Sequence, residues 1–511
     1  MVRFQRGGGK KLFANAILTK NITVNEGVLD AVNKGKVSES NFIEWEPIGK
    51  HDNYDDVYTG TFDGQGYTIS GLYFNDTKAS YVGLFGYIGD EYYGHKGKIS
   101  NVGVSDSYFQ FDKQGGGVCG FIDYGGVLQN CSNSSTVIGK NNDSRAGGVC
   151  GDNNGTVRDC KNTGSVSGQN DVGGVCGFSA GTVKSCYNTG SVHGTGTHVG
   201  GVCGSNYIST TYSGTITNCY YLENTATGGM EGKDVPGKAE KMSIEHFESG
   251  EVAWLLNGKG LGEQVWGQHL GIDQSPVPGS DYKVIKAAQG DKDANGHYTY
   301  WATFSNQTND ATLSVPSESG RTLNVYNATV SGGKMTLTQR SDYQVAKGEG
   351  VLLKTDGEYV NAKANETNGL TKASSDLVAT PAEAQTVTAE TGYKLYRLTY
   401  NDAKNKKGLG FYLSVDKASN SSDGTSLKAT PGKAYLKVSE NEAKDPSSAA
   451  LTRSFVFGGG SETTGIDGIT IMGTDVQRHG TIEGIFDLQG RKISNPTKGI
   501  YIKNNKKVII K

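Results

Sequence analysis

Long apolar runs are missing from this 511-residue chain. Nothing approaches the roughly 18 residues needed to cross a bilayer as a helix, the longest stretches being of the order of Val252-Ala-Trp-Leu-Leu256. Charge of one sign is missing too: a formal net charge of −2 leaves no electrostatic footprint for nucleic acid or an anionic membrane. The motifs of common chemistries are absent. There is no P-loop or H-E-x-x-H, and the eight histidines are scattered. No C-x-x-C pair or Cys/His cluster with zinc spacing occurs. Neither a cofactor nor a resident metal is expected, and the chain reads as a non-enzyme.

What is present is glycine, 75 residues of it, with only 35% hydrophobic residues, a composition of thin β layers. One string recurs four times: Gly116-Gly-Val-Cys-Gly120, Gly147-Gly-Val-Cys-Gly151, Gly173-Gly-Val-Cys-Gly177 and Gly200-Gly-Val-Cys-Gly204. Three copies are followed by a second string: Gly155-Thr-Val-Arg-Asp-Cys160, Gly181-Thr-Val-Lys-Ser-Cys186 and Gly214-Thr-Ile-Thr-Asn-Cys219. A third, Asn162-Thr-Gly-Ser-Val-Ser-Gly168 and Asn188-Thr-Gly-Ser-Val-His-Gly194, supplies another corner and strand. A period of about 26 residues without any 3.6-residue apolar pattern predicts stacked coils of short parallel strands, with Gly or Asn at corners needing positive φ. Degenerate copies at Gly83-Leu-Phe-Gly86 and Gly97-Lys-Ile-Ser-Asn-Val102 extend the array upstream.

These strings, with the lead-in Trp45-Glu-Pro-Ile-Gly49 and the run Thr59 to Leu72, resemble the GLUG-motif repeats of bacterial surface proteins, some of them near IgA peptidases. The resemblance covers roughly Phe42 to Tyr221 and implies an extracellular solenoid. It brings no catalytic site, because the peptidase activity of such relatives sits in a separate zinc domain.

All eight cysteines fall in the array, two per coil at corresponding places. Ladders of buried thiols and disulfides both fit, since the spacing of neighbouring strands lies inside the disulfide window. Within Gly-Val-Cys-Gly, strict alternation lets only one of Val149 and Cys150 point inward.

The expected organisation is all-β. Residues 1–44 form a lead-in or cap, 45–222 a parallel β-solenoid (β-helix), and 223–281 a short helical cap or linker. An antiparallel β-sandwich or barrel follows over 282–457, then a Gly/Ser/Thr linker over 458–465 and a small β-module over 466–511. Ser243 and Ser249 are candidate helix N-caps. Phe247, Val252, Trp254, Leu255 and Leu256 are placed to cover the open end of the solenoid. In the accessory domain, period-2 runs such as Tyr298 to Phe304 and Gly350 to Lys354 predict strands. Their aromatics suit either a sugar-stacking platform or a half-buried sheet face.

The last segment contains Gly484-Ile-Phe-Asp-Leu-Gln-Gly-Arg-Lys-Ile493 and Lys498-Gly-Ile-Tyr-Ile502, and reads as two hairpins. It resembles the C-terminal sorting domains of the type IX secretion system, though shorter, which implies export. Residues 1–18 do not read as a signal peptide, so the expectation is that Met1 is a truncated or misassigned start.

Functional residues are sought in corner loops. Asn141, Asn142, Asp143, Arg145, His193 and His198 are candidates for a ligand face. Asp291, Asp293 and Asn295 imitate the opening of a calcium loop, but Ala302 stands where a bidentate Glu is needed, so a hairpin turn is the better reading. His51 with Asp52, Asp55 and Asp56 is the nearest approach to a carboxylate site and reads as a solvated turn. The expected function is adhesin-like binding of a host matrix protein or glycan by a stiff surface. A spacer without a ligand and a solenoid polysaccharide lyase or hydrolase are the alternatives.

Overall fold

The computed structural model describes residues 14–37, 41–50, 56–90, 92, 94–208, 214–260, 263–293, 295–316, 320–401, 408–414, 423–444, 446 and 454–457, together with strands at 469–472, 485–486, 492–493, 499–503 and 506–510. The chain is all-β, a parallel β-solenoid followed by antiparallel sheets, with three short helices among the described residues.

From Gln114 to Leu222 each coil of the solenoid runs through four parallel faces. Face A holds Phe85–Ile88, Cys119–Ile122, Cys150–Asn153, Cys176–Ser179 and Cys203–Asn206. Face B carries seven strands, from Ala16–Ile17 to Thr215–Thr217, and face C begins at Ile22–Thr23. Face D comprises Gln114–Gly116, Arg145–Gly147, Val172–Gly173 and Val199–Gly200. The recurring strings therefore stack on themselves. Cys119 pairs with Cys150, Cys150 with Cys176 and Cys176 with Cys203.

The stack is longer than the strings suggested. Its first strands pair with Thr61–Asp63 and Thr68–Ser70, so the solenoid starts at Ala16 rather than 45. The carboxylate of Asp106 accepts hydrogen bonds from the N–H groups of Gly27 and Leu29 and so holds helix α1 (Val28–Asn33) to this early part. At the far end, Ala239–Met242 pairs with Cys219–Leu222 and continues the stack past 222.

Both Val149 and Cys150 are fully buried in the same core, as are their counterparts in the other three copies. Alternation fails here because Val149 lies at the bend between faces D and A, where the chain turns around the core and two successive side chains point inward. All eight cysteines are buried free thiols, and burial raises those of Cys150, Cys176 and Cys203.

The second glycine of the string follows from an interior ladder. Asn133 Nδ2 donates to Asn162 Oδ1 at 2.8 Å, and Asn162 Nδ2 to Asn188 Oδ1 at 2.7 Å, all three being buried. A Cβ on Gly148 would sit 2.3 Å from Asn162 Cγ, and one on Gly174 2.4 Å from Asn188 Cγ. The B–C corner is left-handed in every coil from Asn101 on. It is filled by Asn101, Asn130, Asp159, Ser185 and Asn218 rather than glycine, residues whose short polar side chains tolerate that conformation.

Ser243 caps helix α2 (Ile244–Glu248) in a capping box with His246. Ser249 is not an N-cap; it closes α2, and helix α3 (Glu251–Leu256) starts from Gly250 at φ 92°. The helices do not close the open end. Phe247, Val252, Leu256 and Trp266 instead pack on Tyr187 and Tyr220. These tyrosines follow the inward Cys186 and Cys219 and point outward from face C. The helical segment is thus a wedge on the solenoid's flank. Trp254 on its other side joins Ala253, Leu270, Val284 and Tyr359, tying it to the next domain.

That domain is a stack of antiparallel sheets. The middle one, built from 288–292, 298–305, 323–331, 334–339 and 350–355, is buried on both faces. Phe304, Val325, Val351 and Leu353 face the sheet of 282–286, 311–314, 344–345 and 359–364. Trp301, Tyr326, Ala328 and Leu352 face the sheet of 377–379, 393–401, 408–413, 434–439 and 454–456. This is a double sandwich, not a barrel. Ile469–Met472 adds a parallel strand beside 335–338, so the segment from 466 is not one separate module. The remaining four strands form their own antiparallel sheet. Phe486 is opposite Lys492 and Lys503 opposite Lys506, the pairing expected of two hairpins. The turn residues, and the 458–465 linker, lie outside the described residues.

Candidate functional site

Position two after each cysteine of the Gly-Gly-Val-Cys-Gly string points out of face A. In register it reads Tyr87, Phe121, Asp152, Phe178 and Ser205. Beside it, at the edge of face D, a second ladder reads Tyr81, Gln114, Arg145, Asp171 and His198, as the pairings of the following residues fix. The two lanes form one continuous strip along the A–D corner.

Aromatic rings hold its early part. Tyr87 stacks on Phe121 at 4.6 Å, and Tyr81 meets both edge-on. Tyr124, 62% exposed, stands at the next corner. Further along, Phe178 stacks with the 47%-exposed Tyr207 at 5.9 Å. Between these patches the Arg145 guanidinium lies 3.9 Å over the Phe178 ring, pairs with Asp152 and approaches Asp171 at 3.9 Å. His198 Nδ1 is 3.0 Å from Asp171 Oδ1. The Asp152 side chain is only 1% exposed, and its Oδ1 has no hydrogen-bond partner. Burial pushes its pKa up to about 6 against the pull of Arg145, and burial also raises that of Asp171.

Of the residues singled out from sequence, Arg145 and His198 lie in this strip. Asn141 and Asn142 lie on the adjoining C–D corner: Asn141 Nδ2 donates to Asp112 Oδ1, and Asn142 O accepts from Asn170 Nδ2. The exposed Asp143 stands beside them. His193 is on a different face, in Val192–Gly194, opposite Ser167. Sequence reasoning missed Tyr81, Tyr87, Phe121, Asp152, Asp171 and Phe178. A signal existed, because the residue after Gly-Val-Cys-Gly varies (Phe121, Asp152, Phe178, Ser205) where everything before it is constant.

The Asp293 carboxylate accepts the N–H groups of Asn295 and His297 at 2.9 Å, at the turn between 288–292 and 298–305. These backbone bonds hold its pKa below the usual range. Asp291 lies on the strand before it, where its carbonyl accepts from Thr299 Oγ1. His51, Asp52 and Asp55 lie outside the described residues. Among those described, no group of three His, Cys, Asp or Glu is placed to hold a metal. The accessory-domain aromatics are divided: Trp301 stacks on Phe457 at 4.2 Å, and Tyr396, Phe411 and Phe455 are buried, whereas Tyr298, Tyr343 and Tyr393 are exposed. In the wedge, Trp266 is buried and His269 stacks on Tyr282.

No protein-family model matches the chain. Halomucin from Haloquadratum walsbyi is 30% identical over 128 residues, which is 25% of this chain and 1% of halomucin. A protein named as a Gly-rich membrane protein from Evansella cellulosilytica is 38% identical over 64 residues, 12% of this chain and 6% of that protein. The chain thus spans only a small fraction of the curated relatives it matches. A crystal structure described as that of a candidate immunoglobulin A1 protease from Bacteroides ovatus is 18% identical with a TM-score of 0.36, covering 53% of this chain and 87% of that one. No helix among the described residues is long and apolar enough to cross a membrane.

Proposed function

We propose that the chain is an exported, surface-displayed binding protein of the GLUG-repeat kind, and that the A–D strip takes up glycan chains. The observation carrying this reading is the pair of ladders, in which aromatic patches flank an Arg145–Asp152–Asp171–His198 polar segment. Phe121 and Phe178 are two coils apart, about 10 Å at the ~4.8 Å strand spacing, a repeat close to that of a β-linked disaccharide. A hydrogen-bonded stack fixes that interval, so a long polymer meets several weak stacking contacts at once and gains avidity without any single strong one. The binding reading is favoured over a solenoid hydrolase by Asp152, whose buried carboxyl lies against Arg145 rather than facing a bond to be cleaved.

Glycan and host-matrix arrays probed with the whole chain and with Phe121→Ala/Phe178→Ala test the proposal. Retained glycan binding by the chain and at least a tenfold loss in the variant are expected. Absence of any ligand would leave a spacer, and cleavage of a polysaccharide would turn the reading to an enzyme. Export through the sorting-like tail is tested by fusing residues 466–511 to a reporter in a type IX-competent cell, where periplasmic retention counts against it.

A further inference from the structure

A second site lies outside the solenoid. Between the wedge and the sandwich sheets is a cleft of about 720 Å³, within the roughly 300–1,000 Å³ typical of small-molecule sites. Trp254, at one side, belongs to α3, and the opposite wall comes from 427–435 of the third sheet and its margin. Its charge is one-sided. Lys259, Lys283, Arg397, Lys428 and Lys433 line it, and Glu263 is the one lining carboxylate among the described residues. A further lysine, Lys286, is already committed, with Nζ 3.5 Å from Glu358 and 4.6 Å from the Trp254 ring centre. No ion pair among the described residues engages the other five cations.

Five like charges around one concavity repel each other, and among the described residues the lining sets only the Glu263 carboxylate against them. In a chain of net charge −2, a concentration of this kind is local, not a reflection of overall composition. Lys433 carries the strongest case. Its backbone is pinned, with the carbonyl accepting from Ser305 Oγ at 2.6 Å and Thr380 Oγ1 at 2.9 Å, so its side chain starts from a fixed point at the cleft wall. Burial lowers its pKa, as expected for an ammonium deprived of water and given no carboxylate in return. The rest of the lining is rich in hydroxyl and amide groups, including Thr308, Thr399, Thr430 and Gln307. That mixture of ammonium, guanidinium and neutral hydrogen-bonding groups, with an indole at the edge, suits a ligand that is both anionic and hydroxyl-rich.

We propose that this cleft binds an acidic oligosaccharide, one whose sugar rings bear carboxylate or sulfate groups. The site is separate from the solenoid strip and does not depend on the strip's function.

The test is calorimetric titration of the full chain with tri-galacturonate, with maltotriose and inorganic sulfate as comparison titrants. Saturable binding of tri-galacturonate is expected, weakened at least tenfold by Lys283→Ala/Lys428→Ala, two exposed positions whose truncation leaves the thermal unfolding unchanged. Phe121→Ala/Phe178→Ala is expected to bind the acidic trisaccharide as the parent does. The assignment is overturned by no saturable binding, by equal binding of maltotriose, or by indifference to the lysine substitutions. It is also overturned if sulfate alone binds as tightly and competes fully, or if the phenylalanine variant loses the binding, which would place it on the solenoid.

Discussion

The solenoid and the layered domain are both all-β, yet they are held together across different distances along the chain. In the solenoid each strand meets its counterpart one coil away, as Cys150 meets Cys176 and Asn162 meets Asn188. In the layers the decisive contacts join remote segments: Thr303 Oγ1 accepts from Ala434 N across 131 positions, and Ser305 Oγ donates to Lys433 O across 128. The first arrangement is a chain of nearest-neighbour interfaces; the second is a single cooperative body. It follows that damage should stay local in one and spread in the other.

Gly148→Ala is the harshest way to break that contrast. A Cβ there has no room beside Asn162 and the Gly174 carbonyl, and a loss of about 4 kcal/mol is expected. Hydrogen exchange should show protection lost in the coils around 119–200 and kept at 323–355. Leu352→Ala, in the middle sheet, should cost about 3 kcal/mol and lower protection through all three sheets at once. Loss of protection confined to one sheet would show that the layers are not one unit.

Acidity sharpens the comparison next. Burial lifts the Asp152 pKa to about 6 in the fold from the ordinary 3.8 of an exposed aspartate, so the protonated form favours folding. This contribution is complete below about pH 4 and is lost as the pH rises through 6, roughly 3 kcal/mol in all. Asp152→Asn should remove that slope from the solenoid, measured by urea unfolding at pH 4 and pH 7 with exchange read on face A. Arg145→Ala should cost about 2 kcal/mol at pH 7 and far less at pH 5, where the carboxyl it attends is mostly protonated. The smallest effect belongs to the thiols. Reductant should leave the unfolding temperature unchanged within a degree, and alkylation of all eight cysteines should wait for unfolding, since each is buried and free. A reductant-sensitive transition would mean that bridges form between coils.

The strings made the parallel stack legible because identical residues one period apart have to occupy equivalent positions. Their limits came from geometry the strings do not encode. The coil beginning at Ala16 shares none of them and carries α1 after its second strand, so the strings mark a start later than the stack's own. Val149 and Cys150 both face inward because a corner is not a strand. The wedge's apolar side was plain in Phe247 and Leu256, but its target was not: Tyr187 and Tyr220 present outward rings only once the cysteines before them are known to point in. The A–D strip hid in the one position the repeats leave free. In the layers, Gly350-Val-Leu-Leu-Lys354 breaks the alternation that one-sided burial would give, and its run of apolar residues belongs to a strand covered on both faces.

The asparagine ladder has a consequence for how such a protein can change in length. The central rung, Asn162, donates to Asn188 in the next copy and receives from Asn133 in the previous one, so a unit of about 26 residues carries matching plugs and sockets at its two ends. Duplication or excision of a whole unit by unequal recombination would leave every junction satisfied, whereas a break inside a unit would strand a buried amide. Copy number is therefore the dimension along which this architecture can vary most freely, and the reach of the molecule would grow or shrink in steps of one rung.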